Sequence, residues 1–436
     1  MRAGTSRWRS RRIAAVGALV LGTGLLSACG GDEGGTPTLN WYINNAAQAP
    51  IGERCAADSG GAYDIAIQLL PNAASGQREQ LLRRLAAGDK TVDIMSLDPP
   101  FMAEFANAGF LRPFTDEERE EFSEGVLRGP LEQSIFADTM YSAPFYGNTQ
   151  LLWFHKSVAE EAGLDMEEPV TWDQLIEAAE QTGTTMAVQG RKNESLMVWV
   201  NALVESAGGT ILAPDQETAP ADEVEPTINS EAGAEAARIM RTIADSSAAP
   251  PAISTAGEEE SRAAFQSENG GFMVNWPYVW AAFDAGIADG SLPEDFKDDV
   301  GWARYPQVVE GEESSTPLGG IGVSVGAYSE NPDLAVEAIR CLTSDESQIE
   351  YMLSAGDPGA SEAVYEDSEI QEVFPMWEAI REGLTDAGPR PISPYYGDVT
   401  GSVQEGYHPP DTLSPETTPE DTATLISGVL NNTQLL

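Results

Sequence analysis

An α/β fold, with mixed or parallel sheets flanked by helices, is what this sequence predicts. Three observations carry the prediction. Between residues 38 and 97, apolar strand-like runs alternate with helical spacings in a β-α-β-α-β order. Farther along, short strands keep recurring between helices that have legible starts and stops. The uncharged, aromatic-rich segment 141–154 passes from one such block to the next, which reads as a crossing between two lobes.

Taken in order, residues 38–43 form a strand, 46–58 suit a helix, and 63–70 form a second strand. Leu81, Leu82 and Leu85 give 77–87 a helical spacing, with Gly88 as its stop. Residues 92–97 read as a short buried strand that Pro99 prevents from continuing. In sheets of this kind ligands bind beyond the carboxyl ends of strands, where Asp98 stands. Thr171 is the N-cap expected for a helix over 172–182. A helix over 195–207 stops at Gly208-Gly209, an acidic, Pro-containing loop covers 213–226, and another helix covers 230–244. A helix over 258–265 leads to a strand from Gly270, a polar tip at Asn275, and Pro277 at a helix start. A Gly-rich strand covers 318–325, and Asn331-Pro332 opens a helix through Leu342. Residues 372–384 read as helix, 385–394 as a loop holding Arg390, and further helices begin near Tyr395 and cover 417–430. No internal repeat is present.

The chain has 436 residues, enough for about two to three domains. Its 42% hydrophobic content supports a sizeable core and excludes a wholly disordered chain. With 24 Lys and Arg against 70 Asp and Glu, the formal net charge is −46. That charge excludes most nucleic-acid roles, which need clustered cations, and disfavours docking on anionic lipid. Lys90, Lys156, Lys192 and Lys297 are the only lysines, a composition that fits either an Arg-favouring genome or a surface adapted to salt. His155 and His408 lie far apart, so no metal or cofactor is expected.

The N-terminus reads as an address. A basic run ends at Arg12, residues 13–26 are apolar, and Leu26-Ser27-Ala28-Cys29 follows. This resembles the bacterial lipobox, in which the cysteine takes a diacylglycerol anchor and becomes the new N-terminus. The resemblance implies a signal peptide over 1–28, a lipidated tether over 29–35, and a mature protein on the extracytoplasmic face of the cell membrane. No other run approaches the ~18 apolar residues of a membrane span. With Cys29 taken by lipid, Cys55 and Cys341 remain as an even pair in an oxidising compartment, and a disulfide between them is expected.

No catalytic motif is found: G-x-S-x-G, H-E-x-x-H and a P-loop lysine are all missing. What remains is a set of polar and aromatic residues at element ends: Asn44, Asn45, Gln48, Asp98, Asn148, Glu258, Asn275, Trp276, Arg390 and Tyr396. These types suit a carbohydrate. Hydroxyls take carboxylates, amides and guanidinium groups as partners, and the C–H face of a pyranose takes a flat ring. Each residue also has an ordinary structural use. Asp98 suits a helix N-cap, Trp276 a core aromatic, and Arg390 an ion pair with Asp386. Glu258 is one of three adjacent glutamates, any one of which can face a ligand.

Lipobox, acidic tether, alternating α/β lobes and crossing segment together resemble the extracellular solute-binding lipoproteins of bacterial sugar ABC importers, of the maltodextrin-binding type. Val274-Asn275-Trp276-Pro277-Tyr278, Leu318-Gly319-Gly320-Ile321-Gly322-Val323 and Ser393-Pro394-Tyr395-Tyr396 sit where that family has its ligand tryptophan, returning hinge strand and late aromatic. More narrowly, Asn148-Thr149-Gln150-Leu151-Leu152-Trp153, Asp93-Ile94-Met95-Ser96-Leu97-Asp98 and residues 386–396 are similar to the trehalose-binding lipoproteins of actinobacteria. The resemblance covers the whole mature chain. It implies a two-lobed periplasmic-binding-protein-like fold with about three hinge crossings, lobe one spanning 36–146 with 319–357 and lobe two 147–318 with 358–436. It implies a monomeric receptor that makes and breaks no covalent bond and delivers a disaccharide, trehalose, to a membrane permease. Asp98 and Asn148 would bind hydroxyls, and Glu258, Asn275 and Trp276 would line the opposing wall. Arg390 would reach in from the late loop, and Gly320 would offer backbone without a side-chain obstacle. The rival readings are a receptor for maltose or another oligosaccharide, a lipid-anchored glycosidase using Glu258 and Asp98, and a structural envelope lipoprotein.

Overall fold

The structure, a computed structural model, describes residues 35–436. The expected signal peptide, the lipidated Cys29 and the tether as far as Gly34 lie outside the described residues. Alternation buries Leu39, Trp41 and Ile43 on one face of β1 (Thr38–Ile43). This strand lies between β2 (Asp64–Leu69) and β3 (Ile94–Leu97) and is parallel to both. Parallel neighbours need crossovers. Helices α1 (Ala49–Asp58) and α2 (Ala74–Ala86) supply them, and α3 (Pro99–Asn107) begins directly after β3.

Strand β4 (Ala143–Thr149) is buried along its whole length. It is followed, with only Gln150 between, by β5 (Leu151–His155), which belongs to a second sheet. The crossing read from residues 141–154 is therefore a change of sheet at one residue. The second sheet grows with α4 (Trp172–Thr182), β6 (Thr185–Ala187), α5 (Glu194–Ser206), α6 (Glu231–Asp245), α7 (Glu258–Phe265), β7 (Gly270–Asn275), α8 (Tyr278–Asp289) and β8 (Val300–Ala303). Its strand order is β8-β5-β7-β6, antiparallel except for the parallel β6–β7 pair. Residues 304–317 return the chain to the first sheet as β9 (Leu318–Val325), antiparallel to both β3 and β4. The first sheet then reads β2-β1-β3-β9-β4, a mixed sheet as expected. Helices α9 (Pro332–Leu342) and α10 (Asp345–Ala355) pack near α1. A third passage brings α11 (Trp377–Asp386), α12 (Tyr396–Gly406) and α13 (Thr418–Leu430); α12 packs on α5 and α13 on α6.

Thr171 closes a capping box with Gln174 at the start of α4, and Gly183 ends that helix in the left-handed conformation, φ 70°. The helix expected over 372–384 is a correction. A short helix ends at Val373, the chain breaks over Phe374-Pro375-Met376, and α11 starts at Trp377. Pro375 has no N–H to donate and clashes with the preceding turn, so one continuous helix cannot form there. The expected disulfide is present, tying α1 at Cys55 to α9 at Cys341. One core lies under the first sheet around Trp41, Ile51, Phe145, Val323 and Val336. A larger one gathers Trp172, Trp199, Tyr305 and Met240 around the second sheet and continues through Tyr396 to Phe101 and Met95 of the first. No described helix is long and apolar enough to cross a membrane.

Candidate functional site

The seam between the two sheets is where the polar residues collect. Asp98 stands at the end of β3, in the N-cap position of α3, but its side chain makes no cap bond. It turns instead to Arg390, whose Nη2 donates to Asp98 Oδ1 at 2.8 Å and whose Nη1 reaches Oδ2 at 3.4 Å. Arg390 is only 5% exposed. Its Nη1 also donates to Glu194 Oε1, 2.7 Å away at the first turn of α5. The guanidinium is thus held between the carboxylates of Asp98, just past β3, and Glu194 on α5, and Asp386, the expected partner, is not bonded to it. Burial works against the charge on Arg390, but Asp98, Tyr396 and Glu194 outweigh it and push the pKa well up.

On the facing wall, the indole Nε1 of Trp276 donates to Glu258 Oε1 at 3.0 Å. The ring is 8% exposed and lies against Gly319, where a Cβ would come within 3.1 Å of it. The three adjacent glutamates are separated by their partners. Glu259 binds Arg262 and Tyr278, Glu260 binds Arg191 and caps its own helix, and Glu258 alone turns to Trp276. Burial raises the Glu258 pKa, against the pull of the Trp276 bond, with Glu259 and Asp98 adding to the rise. Asn148, on β4, donates to Asp357 Oδ1 at 3.2 Å, and Tyr351 donates its hydroxyl to Asp357 Oδ2 at 3.0 Å. Burial pushes Asp357 up to about 7 despite those bonds, and the charge of Glu258 adds to it. Burial raises the pKa of the Tyr146 hydroxyl, and the charges of Asp357, Asp98 and Glu258 add to the rise, so all three carboxylates lie within electrostatic reach of it.

Beneath β1 a relay of neutral groups supports this wall. Trp41 Nε1 donates to Ser96 Oγ, Ser96 Oγ to Gln48 Oε1, Gln48 Nε2 to Asn44 Oδ1, and Asn44 Nδ2 to Tyr146 Oη, at 3.1, 3.1, 2.7 and 3.2 Å.

The structure therefore sorts the expected residues. Asp98, Asn148, Glu258, Trp276 and Arg390 meet at the seam. Asn44 and Gln48 reach it through Tyr146. Four are corrected. Asn45 caps the short turn 46–48 with its side-chain oxygen. Asn275 is fully buried with both amide atoms engaged, its Nδ2 on Glu258 O and its Oδ1 accepting from Gln189 and Trp276 N. Tyr396 is fully buried behind Glu194, to which it donates. Gly320 has φ 128°, and a Cβ there would lie 2.3 Å from the Tyr146 carbonyl, so the pairing of β9 with β4 admits only glycine at this position. Glu194, Asp357, Tyr351 and Tyr146 also stand at the seam, and the sequence gives little local sign of it. Tyr146 lies in the aromatic crossing segment; Glu194 has the pattern of an ordinary first-turn acid, and Asp357 in Gly-Asp-Pro-Gly that of an ordinary turn.

Four carboxylates, largely removed from water, take partners that donate hydrogen bonds, and the guanidinium takes partners that accept them. A neutral ligand with many hydroxyls supplies them without adding charge. A cavity of about 290 Å³ lies elsewhere, lined by residues 166–170, 303–305, 307 and 313–314. At the seam, by contrast, Arg390 bridges Asp98 and Glu194.

Comparison with known proteins agrees with this architecture. Maltose-bound MalE3 of T. maritima superposes with a TM-score of 0.77 at 24% identity, covering 91% of this chain and 100% of that one. The GacH receptor of Streptomyces glaucescens, solved unliganded and with acarbose, gives 0.74 at 18% identity, covering 91% and 98%. A probable ABC transporter-binding protein of Deinococcus radiodurans is 28% identical over 286 residues, and the match spans 62% of each chain. Residues 41–349, which begin within β1 and include the crossing at Gln150, the Trp276 wall and β9, match one family along their length, and the chain belongs to the bacterial extracellular solute-binding proteins.

Proposed function

We propose that this protein is the receptor of a sugar ABC importer, holding a disaccharide, trehalose, at the seam between its two sheets. The observation that carries this reading is the convergence at the seam of Asp98, Glu258, Asp357 and Asn148 with Arg390 and the Trp276 ring. Carboxylates and the amide accept and donate to sugar hydroxyls, the guanidinium orients them, and the indole takes the C–H face of one pyranose. The sugar bridges the lobes, 36–146 with 319–357 against 147–318 with 358–436, and favours the closed form by binding it more tightly. The closed receptor then docks, as a lipid-anchored monomer outside the cell membrane, on a membrane permease. It changes no covalent bond itself.

A maltose receptor is the second reading, favoured by the likeness to the maltose-bound MalE3 fold. Thermal shift with trehalose, maltose, sucrose, cellobiose and glucose separates the two. Ligand at about 100 times its dissociation constant stabilises by about 2.7 kcal/mol. A rise with trehalose alone supports the narrow reading; a rise with another sugar keeps the receptor and discards trehalose. No rise with any of them counts against a sugar receptor. Release of glucose on incubation would instead support the glycosidase reading. Trp276→Ala is expected to weaken sugar binding by about 1–3 kcal/mol, measured by titration calorimetry.

A further inference from the structure

The cavity of about 290 Å³ lies apart from the seam, and none of Asp98, Glu258, Trp276 and Arg390 lines it. One wall is the segment leading into α4; the other is the passage that follows β8. Backbone bonds join the walls, Gln307 N donating to Val170 O at 2.8 Å and Trp172 N to Gln307 O at 3.0 Å. The passage is also closed on itself. Arg304 Nη2 donates to Ser314 O at 3.0 Å, and Ser314 Oγ to Tyr305 O at 2.5 Å. Arg304 forms no ion pair among the described residues, although the carboxylates of Glu167, Glu168 and Glu313 line the same cavity. Its single backbone bond leaves most of the guanidinium donors free. Gln307 is only 8% exposed, its Oε1 accepts from Gly311 N at 3.1 Å, and its Nε2 has no partner among the described residues. Fixed at its oxygen, the amide turns its N–H groups to the cavity it lines. Met166, Pro169 and Val170 supply apolar surface.

These groups suit a ligand with two charged ends. Arg304 and Gln307 Nε2 donate, and match a carboxylate, which accepts. Glu167, Glu168 and Glu313 accept, and match an ammonium group, which donates. A cation alone would lie beside Arg304 and leave that charge unanswered. An anion alone would meet three carboxylates, and a neutral sugar would answer neither sign. We propose that this cavity is a second ligand site and that it takes a compact aliphatic α-amino acid. Its carboxylate binds Arg304 and Gln307, its ammonium group the glutamates, and its side chain lies against Met166, Pro169 and Val170. A space of about 290 Å³ is at the lower end for small-molecule pockets, as a ligand of that size requires. The site does not rest on the sugar-receptor reading.

Calorimetric titration of the full-length protein with L-valine tests this, beside two analogues that each keep one of its charges: isobutylamine, with the amine alone, and isovalerate, with the carboxylate alone. L-valine is expected to bind and to raise the melting temperature, and each analogue to bind about tenfold more weakly or worse. Arg304→Gln, at an exposed position, is expected to weaken L-valine about tenfold and to strengthen isobutylamine. Replacing the exposed Glu167, Glu168 and Glu313 together by glutamine is expected to weaken L-valine as much and to strengthen isovalerate. The opposite responses of the two analogues separate lost charge from a damaged cavity, which would weaken all three ligands alike. That uniform weakening overturns the two-ended site. So does failure of L-valine to bind, an analogue that binds as tightly as L-valine, or wild-type affinity for L-valine in either variant. A wild type that binds L-valine but none of the five sugars would remove the receptor reading and keep this site, so the two fail separately.

Discussion

The two polar networks that meet at the seam are built on opposite plans. The relay from Trp41 to Tyr146 is neutral, stays within the first sheet and its flanking turn, and runs one way, each donor finding one acceptor. The cluster around Arg390 is ionic, draws on both sheets, and sets two carboxylates against one cation. A neutral, satisfied chain has one good arrangement and so holds a wall in shape. A buried cluster with surplus negative charge depends on its one cation, and losing that cation leaves both carboxylates uncompensated. Two different chemistries thus hold neighbouring parts of the seam.

Breaking the ionic cluster should have the largest effect. Arg390→Ala leaves Asp98 and Glu194 buried without their cation, and a loss of about 3–5 kcal/mol in unfolding free energy is expected by chemical denaturation. A loss as small as that of an ordinary surface substitution would show that the pair is solvated and the contrast misplaced.

The pH dependence of stability should come next. Asp357 is held at about 7 by burial, against 3.8 for an ordinary aspartate. Between those values the folded state keeps a proton that the unfolded state has lost. Stability therefore falls as pH rises from about 4 to about 7, by at most about 1.4 kcal/mol per pH unit, and levels off above. Glu205, buried on α5 and likewise held at about 7, contributes with the same sign. Asp357→Asn should flatten the denaturation midpoint between pH 5 and pH 8 in part, leaving the Glu205 share. An unchanged profile would place Asp357 in water.

The neutral relay should be the gentler one to cut. Gln48→Leu removes the acceptor of Ser96 and the donor to Asn44 in a fully buried position, at an expected cost of about 1–3 kcal/mol in thermal denaturation. A loss exceeding that of Arg390→Ala would reverse the comparison.

Much of the frame was legible because it is local. Strand 318–325, helix 172–182 with its Thr171 cap, and helix 258–265 follow from alternation, capping and Gly placement within a few residues. The change of sheet inside 141–154 announced itself by composition. The site was legible by residue type and not by role. Asn275 and Trp276 are neighbours of similar promise, yet the amide is consumed by Gln189 and the Glu258 backbone while the indole lies at the seam. Glu194 meets Arg390 across 196 positions and Asp98 meets it across 292, and no local pattern reports such a pairing. The same distance explains why the three glutamates at 258–260 could not be told apart until Arg191, Arg262, Tyr278 and Trp276 had been placed around them.

The link at Gln150 makes odd and even numbering a property of the molecule. With one residue between β4 and β5, the facing of every side chain in the second strand is tied to that of the first. Inserting or deleting a residue there would turn Trp153 out of its core and reverse the strand's inner and outer faces. The passage at 304–317, fourteen positions long, can take up such a change in its own slack. Variants of this protein that differ in length should therefore differ in the returning passage and keep the outgoing one at a single residue.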